Sequence, residues 1–224
     1  MRHPAPLLLL GLLALSACAS SGGASDDALD GLDEGLGDAV VFAATDAYQA
    51  ARAELGADVS PDARVAVARV VGPEGSSSLA SGTVTFVELD RGVFVSYDVR
   101  GLDPGQHGFH VHEGDSCGPA DVDDDGAAEP GGAAGGHFAP EGSPHGAPTD
   151  PRSERHAGDL GNVTASDSRS AVGTLTDEVL SFDGPTSVLG HAMMIHSGRD
   201  DLESQPSGDA GARVACGVIR LVRE

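Results

Sequence analysis

His110 and His112, in the string Gly108-Phe109-His110-Val111-His112-Glu113, are the first residues of this chain placed to share a chemical task. On a β-strand residues i and i+2 point to the same face, so the two imidazoles stand side by side as two ligands of one metal would. A bare H-x-H pair is more often surface or core histidine, and it gains meaning only when further ligands accompany it. His137, His145, His156 and Asp159 come next, in a Gly/Pro-rich stretch, and His196 closes an apolar run near the C-terminus. Six of the nine histidines and one carboxylate thus fall at places that composition alone does not explain. Imidazole-rich sites suit copper and zinc, and a three-His-plus-Asp set suits tetrahedral zinc.

The elements that must position these residues are mostly strands. From Arg64 onward the apolar pattern has period two, and it predicts strands at 64–71, 81–90, 92–100, 107–113, 160–165, 169–176, 187–196 and 213–222. The second and third are joined tightly around Arg91-Gly92, as in a hairpin. Eight strands with almost no helix give an all-β antiparallel sandwich or flattened barrel. Ahead of them, Val40, Val41, Ala44, Tyr48, Ala51 and Leu55 lie at helical spacing before Gly56 and predict a short helix. No chemistry is visible in that helix, and residues 18–63 read as a flexible linker between the N-terminus and the domain at 64–224.

Five strings carry a family resemblance: GFHVHE (108–113), GGHFAPEGSPHG (135–146), RHAGDLGNV (155–163), MIHSGRDDL (194–202) and GDAGARVACGVI (208–219). In this order the chain resembles the copper/zinc superoxide dismutases, and the likeness covers essentially everything from Arg64 to the end. The resemblance implies a Greek-key version of the eight-stranded fold, with long metal-binding loops. It implies copper on His110, His112, His137 and His196, and zinc on His137, His145, His156 and Asp159, with His137 bridging the two. Arg213 matches the family's anion-guiding arginine, and Asp200 a carboxylate that links a copper histidine to a zinc histidine. The implied reaction converts superoxide to oxygen and hydrogen peroxide in two half-steps, with His137 the candidate proton donor. The competing reading is a non-catalytic copper-binding or copper-delivery protein on the same fold. Such a protein is expected to lose ligands or the arginine, whereas this chain keeps them all; a purely structural sandwich does not account for the ligand set.

The N-terminus reads as an export signal. Arg2 precedes the apolar run Leu7 to Leu15, and residues 1–17 end in Leu15-Ser16-Ala17-Cys18, which looks like a bacterial lipobox. Cys18 would then carry lipid, and the domain would face the periplasm or exterior of a bacterial cell envelope and protect it. Three cysteines are odd for an exported chain, and giving Cys18 to lipid leaves Cys117 and Cys216. These two match the family's intrasubunit disulfide, which an oxidising compartment would allow.

Charge limits the partners. Thirteen basic residues, all Arg, stand against 35 acidic ones, for a net charge of -22, so nucleic acid and anionic lipid surfaces are excluded and the membrane contact is the anchor alone. Superoxide is the small-molecule partner; a homodimer stays open, because dimer contacts are not legible here. The segment between Cys117 and His137 is longer than expected for the family. Its Asp121, Asp123, Asp125 and Gly126 fit the opening of a calcium loop, but position twelve is Gly132 where a Glu is needed, so a solvated acidic insertion is expected. The segment from Leu202 to Gly208 is short and has no Lys. Asn162-Val163-Thr164 formally fits a glycosylation acceptor and is discounted in a bacterial lipoprotein. His107 and His191 are left over as structural or exposed residues.

Overall fold

The structure, a computed structural model, describes residues 37–120 and 128–223. The lipobox and the opening of the calcium-like loop lie outside the described residues. Nine strands follow one helix: α1 (Asp38–Leu55), β1 (Val65–Val71), β2 (Ser81–Glu88), β3 (Val93–Arg100), β4 (Gly105–His112), β5 (Asp159–Ala165), β6 (Ser170–Asp177), β7 (Ala192–His196), β8 (Arg213–Val218) and β9 (Arg220–Arg223). They form one antiparallel sheet of order β5-β4-β7-β8-β1-β2-β3-β6, with β9 pairing β1. β1, β2 and β3 are a meander, but β4 crosses to the far side and pairs with β7, the Greek-key connection that was expected. The turn joining β5 to β6, held by Ser166 N donating to Ser170 O, brings the two ends of the path together and nearly closes a flattened barrel.

Beyond shifts of one or two residues, two boundaries differ from expectation, each for a local reason. The last strand is broken at Ile219, whose amide donates to His191 O, so the chain leaves β7 and continues as β9 beside β1. Residues 187–191 are not strand: Val188 N donates to Ser181 O and His191 N to Val188 O, turns that use the bonds a ladder would need.

Period two explains which face each residue takes. Ala66, Ala68 and Val70 of β1, Val84 and Phe86 of β2, Val93 and Val95 of β3, Phe109 and Val111 of β4, and Met193 and Ile195 of β7 fill the barrel interior. The alternate residues Val65, Val67, Val87 and Phe94 face outward, yet they are buried too, because α1 lies over them. Val40, Ala44, Ala47, Tyr48 and Ala51 supply the helix's apolar stripe. Gly56, at φ 61°, ends the helix, its amide bonded to Arg52 O. The Arg223 guanidinium of β9 sits 4.5 Å over the Tyr48 ring and donates to Pro61 O. Residues 38–63 are therefore part of the folded body, and the linker reading does not describe them.

Candidate metal centre

His110 and His112 occupy the alternate, outward positions of β4, opposite the inward Phe109 and Val111. His196 ends β7, the antiparallel neighbour, on the same outward face as Ala192 and Met194. Loop residue His137 forms a bridge to His112, and Phe138 N donates to Val111 O at 2.8 Å, so β4 itself holds this loop in place. Asp159 opens β5, which brings the 137–158 loop back against β4 through Gly158. All seven sequence-predicted ligands come together in two groups that share His137: His110, His112, His137 and His196, and His137, His145, His156 and Asp159, all buried.

The partners of each ring fix which nitrogen is free. His112 Nδ1 donates to Gly135 O at 2.9 Å and His196 Nδ1 to Gly211 O at 3.0 Å. Both Nε2 atoms are then bare lone pairs, and they face each other at 3.3 Å. Two lone pairs do not attract; a cation between them resolves the arrangement, since two ligands of a tetrahedral ion are about 3.3 Å apart at zinc–nitrogen bond lengths. His110 gives its Nε2 proton to Asp200 Oδ2 at 2.7 Å, leaving Nδ1 buried with no partner. His137 Nε2 and His145 Nδ1 are likewise buried and unpartnered. Orphaned polar atoms of this kind call for an ion or water. In the second group, Nδ1 of His137, His145 and His156 lie 2.7, 3.1 and 3.2 Å from one oxygen, Asp159 Oδ1. Asp159 Oδ2 accepts from the amides of Gly146 and His156, so the carboxylate is aimed. These donors fit two soft-to-borderline divalent ions sharing an imidazole.

Electrostatics prepares the first group for metal. Burial holds the His110 imidazole down to about 3 and His196 to about 4, and also lowers His112 and His137, so these rings are neutral at pH 7 with lone pairs available. Burial acts the same way on His145, but the adjacent carboxylates of Asp159 and Asp200 outweigh it and raise this ring to about 9. Burial also opposes ionisation of Asp159 and Asp200, and their histidine neighbours overcome it, so both carboxyls lie well below the usual range.

Asp200, fully buried, spans the two groups: Oδ2 accepts from His110 Nε2 and Oδ1 from His145 Nε2 at 3.0 Å. Arg213 lies in a depression of 570 Å³ whose lining includes His112, His137 and His196, its Nη2 donating to Gly135 O at 2.8 Å. Cys117 and Cys216 are joined in a disulfide that ties the loop after β4 to β8.

Several supporting residues carried no sequence signal for the site. Asn162, singled out only as a glycosylation acceptor, clamps Asp200 instead: its Nδ2 donates to Asp200 O and its Oδ1 accepts from Asp200 N. Gln205 brackets the backbone of His145 in the same way. Gly208 packs so tightly on Asp200 that a Cβ would collide with its carboxylate. Arg155, buried, ties the loop to β6 through Asp177 and donates to Asp159 O. Of the leftover histidines, His107 is buried between Asp103 O and His196 O, bracing the backbone of a site residue; His191 is half-buried beside Phe138.

An antiparallel barrel that carries two histidine-rich clusters fused through one imidazole defines a binuclear metalloprotein. The family profile described as copper/zinc superoxide dismutase (SODC) matches residues 80–219. The chain is 44% identical over 154 residues to the superoxide dismutase [Cu-Zn] of Yarrowia lipolytica, covering 64% of this chain and 92% of the relative. It is also similar to the crystal structure of the clock protein EA4, with a TM-score of 0.58 and 34% identity over 71% of this chain and 96% of the other. The chain belongs to the copper/zinc superoxide dismutase family. It is a superoxide dismutase, and copper and zinc are its cofactors.

Proposed function

We propose that copper is held by His110, His112, His137 and His196, zinc by His137, His145, His156 and Asp159, and that the enzyme works in a bacterial cell envelope, anchored by lipid on Cys18. The observation that carries the copper assignment is the facing pair of bare Nε2 atoms on His112 and His196, 3.3 Å apart beside the Arg213 depression. Copper supplies one-electron redox chemistry between two accessible oxidation states, and zinc supplies fixed positive charge without redox chemistry. Overall, two superoxide anions and two protons give one oxygen and one hydrogen peroxide.

The protein's own residues attract, orient and deliver protons. Arg213 presents a permanent positive charge at the depression, where a small anion arrives. His137 Nε2, buried and unpartnered by any protein group, would hold a proton for the product whenever it is not bound to copper, and Asp159 beside Nδ1 orients the ring. Asp200 keeps His110 in the tautomer that leaves Nδ1 free. The disulfide pins the loop that carries Gly135, the acceptor that sets both His112 and Arg213.

The catalytic reading is tested by superoxide decay with the metal-loaded protein. Fast decay that disappears on copper removal and falls at least 100-fold in His196→Ala is expected; a His196→Ala protein as active as wild type refutes it. The anchor is tested separately: Cys18→Ser should move the protein from the membrane fraction to the soluble one, and an unchanged distribution overturns that part alone. The sequence supports the anchor through its lipobox; among the described residues no helix is long and apolar enough to cross a membrane.

A further inference from the structure

The segment between Cys117 and His137 returns to the site at a fixed point. Ala120 N donates to Glu129 O at 3.1 Å and Gly132 N donates to the same oxygen at 2.9 Å, so the backbone of Glu129 is held from both sides. From there its side chain reaches Arg213, with Oε1 2.7 Å from Nη1. The two partners differ in access: the Glu129 side chain is 61% exposed and that of Arg213 only 14%. Both line the depression that includes His112, His137 and His196.

The guanidinium is not consumed by its neighbours. Nη2 is committed to Gly135 O, but Nε and Nη1 are buried and make no aligned hydrogen bond, so the contact with Glu129 is an ion pair by proximity. Among the described residues no other carboxylate is paired with Arg213. An anion approaching the site therefore meets a guanidinium one of whose free donors, Nη1, already faces a carboxylate. That carboxylate can swing into water at little cost, because it is exposed and hydrated.

We propose that Glu129 is an intramolecular competitor for the anion-binding side of Arg213, a tethered carboxylate that a small monovalent anion must displace. The inference rests on the dismutase reading and assigns a rate-setting role to a residue of the inserted segment. An ion pair whose carboxylate is solvent-exposed is weak, so the competition lowers anion affinity by about two- to fivefold. It also cancels the local positive charge that a chain of net charge -22 otherwise offers its substrate.

The test is Glu129→Gln, which keeps the shape and removes the charge, in the copper- and zinc-loaded enzyme. Superoxide decay is measured across ionic strength, and azide is titrated against the same proteins by absorption. Expected are a roughly two- to fivefold faster decay at low salt, a rate that falls with salt more steeply than in wild type, and azide binding tighter by the same factor. In the Arg213→Ala background the Glu129→Gln gain should vanish, which a merely structural role would not produce. Equal rates, parallel salt slopes and equal azide affinity for wild type and Glu129→Gln overturn the proposal. If neither protein dismutates superoxide although both bind copper, the dismutase reading fails, and the azide titration alone still decides the role of Glu129.

Discussion

Gly208→Ala adds one methyl group at the point where the two metal groups are joined. The backbone there has φ +70°, and a Cβ built on it lies 1.8 Å from Asp200 Oδ1 and 2.7 Å from His145 Nε2. Ordinary contact begins near 3.4 Å, so the carboxylate must retreat by roughly 1.6 Å. Such a move breaks the bond from His145 Nε2, at 3.0 Å, and that from Leu202 N, at 2.7 Å, and it pulls Oδ2 away from His110 Nε2. Bonds to a buried carboxylate contribute about 1.5–3 kcal/mol each, and the left-handed backbone costs an alanine another 1–2 kcal/mol or so. A destabilisation of about 4 kcal/mol or more results, with a roughly 10- to 100-fold loss of metal affinity because both His110 and His145 lose their orienting partner. Gly142→Ala is the matched control. Gly142 has φ +69° and nothing within 4 Å of a new Cβ, so it carries the backbone penalty without the collision. The assay is chelator competition for zinc and copper, with melting curves of the metal-free and loaded proteins. If Gly208→Ala and Gly142→Ala lower affinity and melting temperature equally, the collision argument is wrong.

Three further outcomes rest on the same geometry. Cys216→Ser opens a loop of sequence separation 99 and should cost about 4 kcal/mol, read as a lower denaturant midpoint; a loss under about 1 kcal/mol would show that the loop is held by other contacts. Ala51→Glu, at a helix position with no exposure, should destabilise the fold by several kcal/mol, whereas Phe42→Glu, 68% exposed on the same helix, should be nearly neutral. Equal and small effects of the two would restore the linker reading. In the metal-free protein, His110 and His196 are held at about 3 and 4 against an unfolded value near 6.5, so the unfolded chain binds more protons between those limits. Stability should therefore be full above pH 6.5 on their account and fall as pH drops toward 4. His145, raised to about 9, contributes the opposite limb: its stabilisation is complete below pH 6.5 and lost as pH rises through 9. Melting temperature against pH should peak between the two, and a rise on acidification from 6.5 to 4 would contradict the burial argument.

The site's ligands were legible through the five strings of the family resemblance; strand alternation added that His110 and His112 share a face, and in the structure His196 ends the paired strand. The barrel strands were legible by the same alternation, except where tertiary bonds override the pattern, at Ser187–His191 and at Ile219. The docking of α1 was not, since an apolar helical stripe does not name the surface it covers. A clue lay in β1, where Val65-Ala66-Val67-Ala68 is apolar at every position and therefore needs cover on both faces. Asn162, Arg155, Gly208 and Glu129 act through partners distant in sequence or through a close approach in space, and no periodicity marks such pairs.

His137 belongs to both ligand groups, and Asp200 holds one histidine of each. Filling either position therefore orders part of the other, which makes the two ion-binding equilibria interdependent. By thermodynamic reciprocity, the factor by which zinc strengthens copper binding is the factor by which copper strengthens zinc binding. Loss of one ion, by acid or by a competing chelator, therefore weakens retention of the second.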